Sequence, residues 1–150
     1  MSEEMLKALA MSGGYATVAL SAIGSAVGAS IAGQAAIAAW KRCYAQGKPA
    51  PFLLVALAGS PLSQTIYGMI LMMLIKGGTG NGIFYLALGV FAGIALMASA
   101  IFQGKAAAAG CDAFGETNKG FTNYLTIAGI VETVALFVLV FGIIVINVRF

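Results

Sequence analysis

Apolar residues run along this chain in four long blocks, about Gly14 to Ala39, Phe52 to Ile75, Ile83 to Ala108 and Phe121 to Val148, with the charged residues gathered largely between them. A helix needs roughly 20 apolar residues to cross a hydrocarbon core about 30 Å thick, and each block is long enough. The connectors are short: Trp40 to Pro51 carries Lys41, Arg42 and Lys48, Lys76 to Gly82 is a Gly-rich turn, and Ala109 to Gly120 carries Asp112, Glu116 and Lys119. The pattern predicts an all-α membrane protein of four transmembrane helices. They form two helical hairpins, about 12–76 and 82–150, within a single membrane domain over 1–150.

The hairpins also read as copies of one another. Ala29-Ser30-Ile31-Ala32-Gly33-Gln34 can be laid on Ala98-Ser99-Ala100-Ile101-Phe102-Gln103, and Pro61 to Ile66 on Gly129 to Val134. This is a parallel internal duplication in which Gln64 is the counterpart of Glu132. Blocks one and three are rich in Gly, Ala and Ser, including Gly24-x-x-x-Gly28 and Gly89-x-x-x-Gly93, whereas blocks two and four carry bulky residues such as Met72, Met73, Phe137 and Phe141. Small residues let helix backbones approach closely. The division predicts an inner ring of narrow helices around an axis, surrounded by wider helices facing lipid, with identical subunits side by side.

Composition sharpens the picture. The chain is 61% hydrophobic and 9% charged, with a mean hydropathy of +0.98, against about 45–50% apolar and 25% charged in soluble domains. Little is left over for a soluble enzyme domain, so no catalytic site is expected on this chain. The net charge of +3 is small and its basic residues sit at block ends, which speaks for orientation in lipid and against nucleic acid as a partner. Lys41, Arg42, Lys48, Lys105 and Lys119 lie toward the first and third connectors, against Lys7, Lys76 and Arg149 on the other side. The positive-inside rule then places 40–51 and 109–120 in the cytoplasm and both termini outside a cell membrane. There is no His, and Cys43 and Cys111 have no ligand spacing, so neither zinc, haem nor an organic cofactor is expected. Glu3 and Glu4 precede the first block where a signal peptide would carry basic residues, so that span is expected to be retained.

One residue breaks the apolar pattern at a cost. Glu132 stands near the centre of the otherwise uncharged stretch Phe121 to Val148, and an ionised carboxylate at such depth is unfavourable by about 2.5–3.5 kcal/mol on insertion scales. It must be protonated, paired with a cation, or turned away from lipid. The other polar residues within the blocks are Gln34, Ser60, Ser63, Gln64, Thr65, Tyr67, Gln103 and Thr133. Ser60, Ser63, Gln64 and Tyr67 recur at i, i+3, i+4 and i+7, one face of a helix. Singly, each could serve only as interhelical glue worth about 0.6 kcal/mol. Together with Glu132 they are a set of hard oxygens of the kind hard cations prefer. Pro61 adds to it by depriving the Leu57 carbonyl of its helical partner and loosening the backbone near the Ser60 carbonyl. Tyr67 can donate its hydroxyl proton to the carboxylate. The surplus of oxygens leans toward sodium over a proton.

Ser60-Pro61-Leu62-Ser63-Gln64-Thr65-Ile66-Tyr67-Gly68, Gln103, the Gly24 and Gly28 helix and Gly129-Ile130-Val131-Glu132-Thr133 together closely resemble the membrane-rotor proteolipid of V-type rotary ATPases, a duplicated four-helix protein. The resemblance covers essentially the whole chain and implies a sodium-translocating ring subunit. It implies ion ligands on Glu132, Gln64, Gln103, the Ser63 hydroxyl and the Ser60 carbonyl, with Tyr67 locking the carboxylate. Ser63 and Ser60 depart from the threonine and the larger apolar residue familiar in the family, without loss of an oxygen. The implied partners are identical subunits, membrane lipid, a stator subunit with a buried arginine, and a central-stalk subunit on the cytoplasmic loops. A proton-translocating rotor is the near alternative. A small four-helix cation/proton antiporter would also use Glu132, but it explains neither the duplication nor the long small-residue helices.

Overall fold

The computed structural model describes residues 1–76 and 81–147. Most of the Gly-rich connector and Arg149 therefore lie outside the described residues. The described elements are helical: α1 (Glu3–Ala45), α2 (Leu54–Gly59), a single 3₁₀ turn (Ser60–Leu62), α3 (Ser63–Lys76), α4 (Gly82–Thr117) and α5 (Phe121–Asn147). α2, the turn and α3 form one broken span, so among the described residues four helices are long and apolar enough to cross a membrane.

Two helices run well past the predicted blocks. α1 has 43 residues and α4 has 36, or about 64 and 54 Å at 1.5 Å per residue, against a core of about 30 Å. Much of what the sequence marked as connector is thus helix, because Lys, Arg and Ala favour helix and only glycine and asparagine interrupt it. α1 ends before Gly47 at φ +64°, and α4 ends at Asn118, left-handed at φ 52°, whose N–H bonds the Phe114 carbonyl at 2.7 Å. At the other end α1 begins ahead of the expected hairpin start. The Ser2 hydroxyl caps Met5 N–H at 3.3 Å, Glu3 and Glu4 fill the first turn, and Glu3 pairs with Lys7 at 2.9 Å. Capping by Ser and acidic residues at the positive end of the helix dipole stabilises this extension.

α1 and α4 pack against one another along much of their length. A Cβ at Gly24 would lie 2.5 Å from the Met97 backbone, and those of Gly89 and Gly104 would fall on the carbonyl oxygens of Gly13 and Gly28. Only glycine permits that approach. The Leu20 side chain fills the space over Gly93, 3.0 Å from where its Cβ would be. The glycines read as packing around a ring axis thus already have a partner within one chain. The reason is that both small-residue helices belong to the same protomer and can bury their ridges on each other.

The burial pattern disfavours the inner-helix register expected from the sequence. Laying Gln34 on Gln103 sets an exposed residue on a buried one, and buried Ala36 on exposed Lys105. A shift two residues longer matches buried with buried: Ser21 with Ala92, Ser25 with Leu96, Gly28 with Ser99, Ala32 with Gln103, Ala36 with Ala107, Ala39 with Gly110. It also matches exposed with exposed, Ile23 with Ile94, Gln34 with Lys105, Ala38 with Ala109 and Lys41 with Asp112. Two residues turn a helix by roughly 200°. In a segment so rich in Ala, Ser and Gly, identity alone is a poor guide to face.

A buried cluster of Ala32, Ala36, Ala39, Leu54, Leu57, Ala107, Cys111 and Phe114 packs one end of the bundle. A second, of Leu71, Ala92, Leu96 and Ala135, packs beyond the middle. Between them lie the fully buried amides of Gln64 and Gln103.

Candidate ion-binding site in the membrane

Pro61 decides the local shape of the second span. Without its N–H the helix tightens to a 3₁₀ turn, and the Leu57 carbonyl is taken up by the Ser60 backbone N–H and by the Ser60 hydroxyl at 2.9 Å. The Ser60 carbonyl in turn accepts the Ser63 hydroxyl at 3.3 Å, and Ser63 Oγ lies 3.3 Å from Gln64 Oε1. Three oxygens, Ser60 O, Ser63 Oγ and Gln64 Oε1, are thereby brought together at the break. The neighbouring Pro61 ring rests near Gly28, where a Cβ would stand 2.9 Å from it.

From α5 comes Glu132, half-buried and held by two donors. Tyr67 Oη donates to Oε1 at 2.7 Å, and Gln103 Nε2 donates to Oε2 at 3.2 Å. Gln103 also donates to the Ala128 carbonyl at 3.2 Å, while its own Oε1 accepts from Gln64 Nε2 at 2.6 Å. The result is a continuous chain: Ser60, Ser63, Gln64, Gln103, Glu132, Tyr67. Three spans supply it, and it links the hairpins through a Gln64–Gln103 bond between fully buried amides. Buried amides of this kind are satisfied by each other because neither can reach water. In a low-dielectric interior such a chain also fixes the carboxylate rotamer.

All six residues singled out for the site are assembled. Gln34 and Thr133 are not. Gln34 is exposed and bonds Ser30 at 3.1 Å, and Thr133 is exposed and bonds the Ile130 carbonyl of its own helix at 2.6 Å. Two contributors escaped the sequence reading, the Ala128 carbonyl and Ser99, whose hydroxyl lies 3.4 Å from the Val131 carbonyl on the turn that carries Glu132. A backbone carbonyl has no side-chain signature, but Ser99 is a buried serine on the helix of Gln103 and was legible in principle. Among the described residues no group of three or more His, Cys, Asp or Glu could hold a metal. One carboxylate amid neutral oxygens suits a weakly held monovalent ion better than a resident divalent metal.

Fold and site together define a multi-pass helical membrane protein with a carboxylate held inside its bundle by amide and phenol donors. Residues 86–145 match the family of the ATP synthase C subunit, the non-catalytic ring protein of rotary ATPases. The matched stretch runs through most of α4 and nearly all of α5 and contains Gln103 and Glu132, whereas Ser60, Ser63, Gln64 and Tyr67 come from the other hairpin. Comparison with curated proteins returned no match.

Proposed function

We propose that this chain is the ion-carrying rotor-ring subunit of a V-type rotary ATPase and that the ion is sodium. The observation that carries the reading is the Glu132 carboxylate, the only acidic residue of α5, gripped by Tyr67 and Gln103 beside the amide of Gln64. The ATP synthase family match over α4 and α5 supports the rotor. The duplicated hairpin, with Gln64 opposite Glu132, supports the V-type, in which one carboxylate serves four helices.

Glu132, Gln103 Oε1, Gln64 Oε1, Ser63 Oγ and the Ser60 carbonyl can offer a small hard cation about five oxygens. A bound proton needs only the carboxylate. In the working cycle a cationic side chain of a stator subunit would displace the ion at one half-channel. The emptied carboxylate reloads from the other, and the ring advances by one protomer. ATP chemistry takes place on other subunits, coupled through a stalk seated on the connectors 40–51 and 109–120, which lie in the cytoplasm.

The test is the rate at which a carbodiimide, which attacks the protonated acid, modifies Glu132. Sodium should slow it, and the protection should weaken as pH falls, because proton and sodium compete for one carboxylate. A rate unmoved by saturating sodium at any pH would make this a proton rotor. Glu132→Gln should abolish transport while leaving the ring assembled.

A further inference from the structure

We infer that Ser25 of α1 is a positioning residue of the ion site, its hydroxyl holding the Gln64 amide while the ion is bound. The inference rests on the sodium reading above and gives the site a member from α1, the span that supplies none of its other residues.

Ser25 is 2% exposed, and among the described residues its hydroxyl is the only buried side-chain oxygen without a hydrogen-bond partner. The other buried hydroxyls of α1 are satisfied. Thr17 donates to the carbonyls of Gly13 and Gly89 at 3.1 and 3.2 Å, and Ser21 donates to that of Val18 at 3.0 Å. Leaving a buried polar atom unpaired is unfavourable, and native proteins rarely do so.

What faces Ser25 follows from the packing of α1 against the second span, which runs antiparallel to it. A Cβ at Gly68 would fall on the Ser21 hydroxyl, and a Cβ at Gly28 would lie 2.9 Å from the Pro61 side chain. On α1, Ser25 comes four residues after Ser21 and three before Gly28; on the facing span, Gln64 comes four before Gly68 and three after Pro61. Those spacings keep to one face of a helix. Ser25 and Gln64 therefore occupy the same level of the same buried interface.

Gln64 is fully buried and has a donor to spare. Its Nε2 carries two N–H bonds, and one of them donates to Gln103 Oε1 at 2.6 Å. Its Oε1 lies 3.3 Å from the Ser63 hydroxyl. Sodium would draw on the Oε1 atoms of both amides, so Gln103 Oε1 would be shared between the ion and Gln64. A turn of the Ser25 hydroxyl between staggered positions lets its oxygen accept the spare N–H. Gln64 Oε1 then stays aimed at the ion as the hold of Gln103 slackens.

Purified wild type, Ser25→Ala, Ser21→Ala, Gln64→Leu and the Ser25→Ala, Gln64→Leu double variant are compared by two measurements. One is the sodium concentration that halves carbodiimide modification of Glu132, and the other is the melting temperature without sodium. Ser25→Ala removes an unpaired hydroxyl with little change in volume, so its melting temperature should hold or rise. Its half-protective sodium concentration should nevertheless rise about threefold, the worth of one interhelical hydrogen bond in a membrane. Ser21→Ala, whose hydroxyl bonds its own helix, should leave that concentration unchanged, and Ser25→Ala should add no further shift once Gln64 is leucine. An unchanged half-protective concentration in Ser25→Ala would overturn the role of Ser25 and leave the sodium rotor standing. A melting temperature that falls in Ser25→Ala, or an equal added shift in the Gln64→Leu background, would do the same. A wild type that sodium does not protect would overturn both.

Discussion

Gln103→Leu is the most informative single change, because the Gln103 side chain joins the two hairpins at the carboxylate. Leucine is close in volume and keeps the buried packing. The change removes three hydrogen bonds, to Glu132 Oε2 at 3.2 Å, to the Ala128 carbonyl at 3.2 Å and from Gln64 Nε2 at 2.6 Å. Interhelical bonds in membranes average about 0.6 kcal/mol, so three sum to roughly 2 kcal/mol. One bond to a charged acceptor, valued separately, is worth about 1.5–3 kcal/mol. Both routes give at least about 1.5 kcal/mol, or roughly a tenfold change in an equilibrium constant. The assay is the sodium concentration that halves carbodiimide modification of Glu132, compared between wild type and variant in assembled protein. It should rise about tenfold or more. A shift under about twofold, less than 0.5 kcal/mol, would mean that the Gln103 amide does not act on the ion-bound carboxylate, and the ligand set proposed here would be wrong.

Tyr67→Phe removes the 2.7 Å bond to Glu132 Oε1 and should raise the half-protective sodium concentration severalfold with the oligomer unchanged; equal protection would remove Tyr67 from the site. Gly104→Leu would drive a side chain into the Gly28 backbone and should destabilise the protomer by about 1–3 kcal/mol or more, read as a lower melting temperature in detergent. An unchanged melting point would mean that α1 and α4 are not in backbone contact. Arg42→Ala breaks an ion pair whose side chains are 41% and 58% exposed, and solvent screens such a pair, so a melting temperature close to wild type and no change in sodium protection are expected. A clearly lower melting temperature would show the pair to be buried in the assembly.

Much of this protein was legible along the chain alone. Hydropathy determined four spans, since bilayer thickness fixes the length of apolar helix needed. The penalty on a charge in lipid singled out Glu132, and helical spacing placed Ser60, Ser63, Gln64 and Tyr67 on one face. Proline chemistry foretold the break at Ser60–Leu62. The tertiary structure decided what depends on contact between distant segments. It joined Gln64 to Gln103 and brought the Ala128 carbonyl and Ser99 to the site, all across helices that share no local pattern. It turned the glycines of α1 and α4 toward each other inside one chain, because small residues specify close approach but do not name the partner. It also showed that Gln34 shares its exposure with Lys105 and not with the buried Gln103 on which identity alone would lay it. Which face a small-residue helix buries is settled by what packs against it, and a run of Ala, Gly and Ser carries almost no record of that.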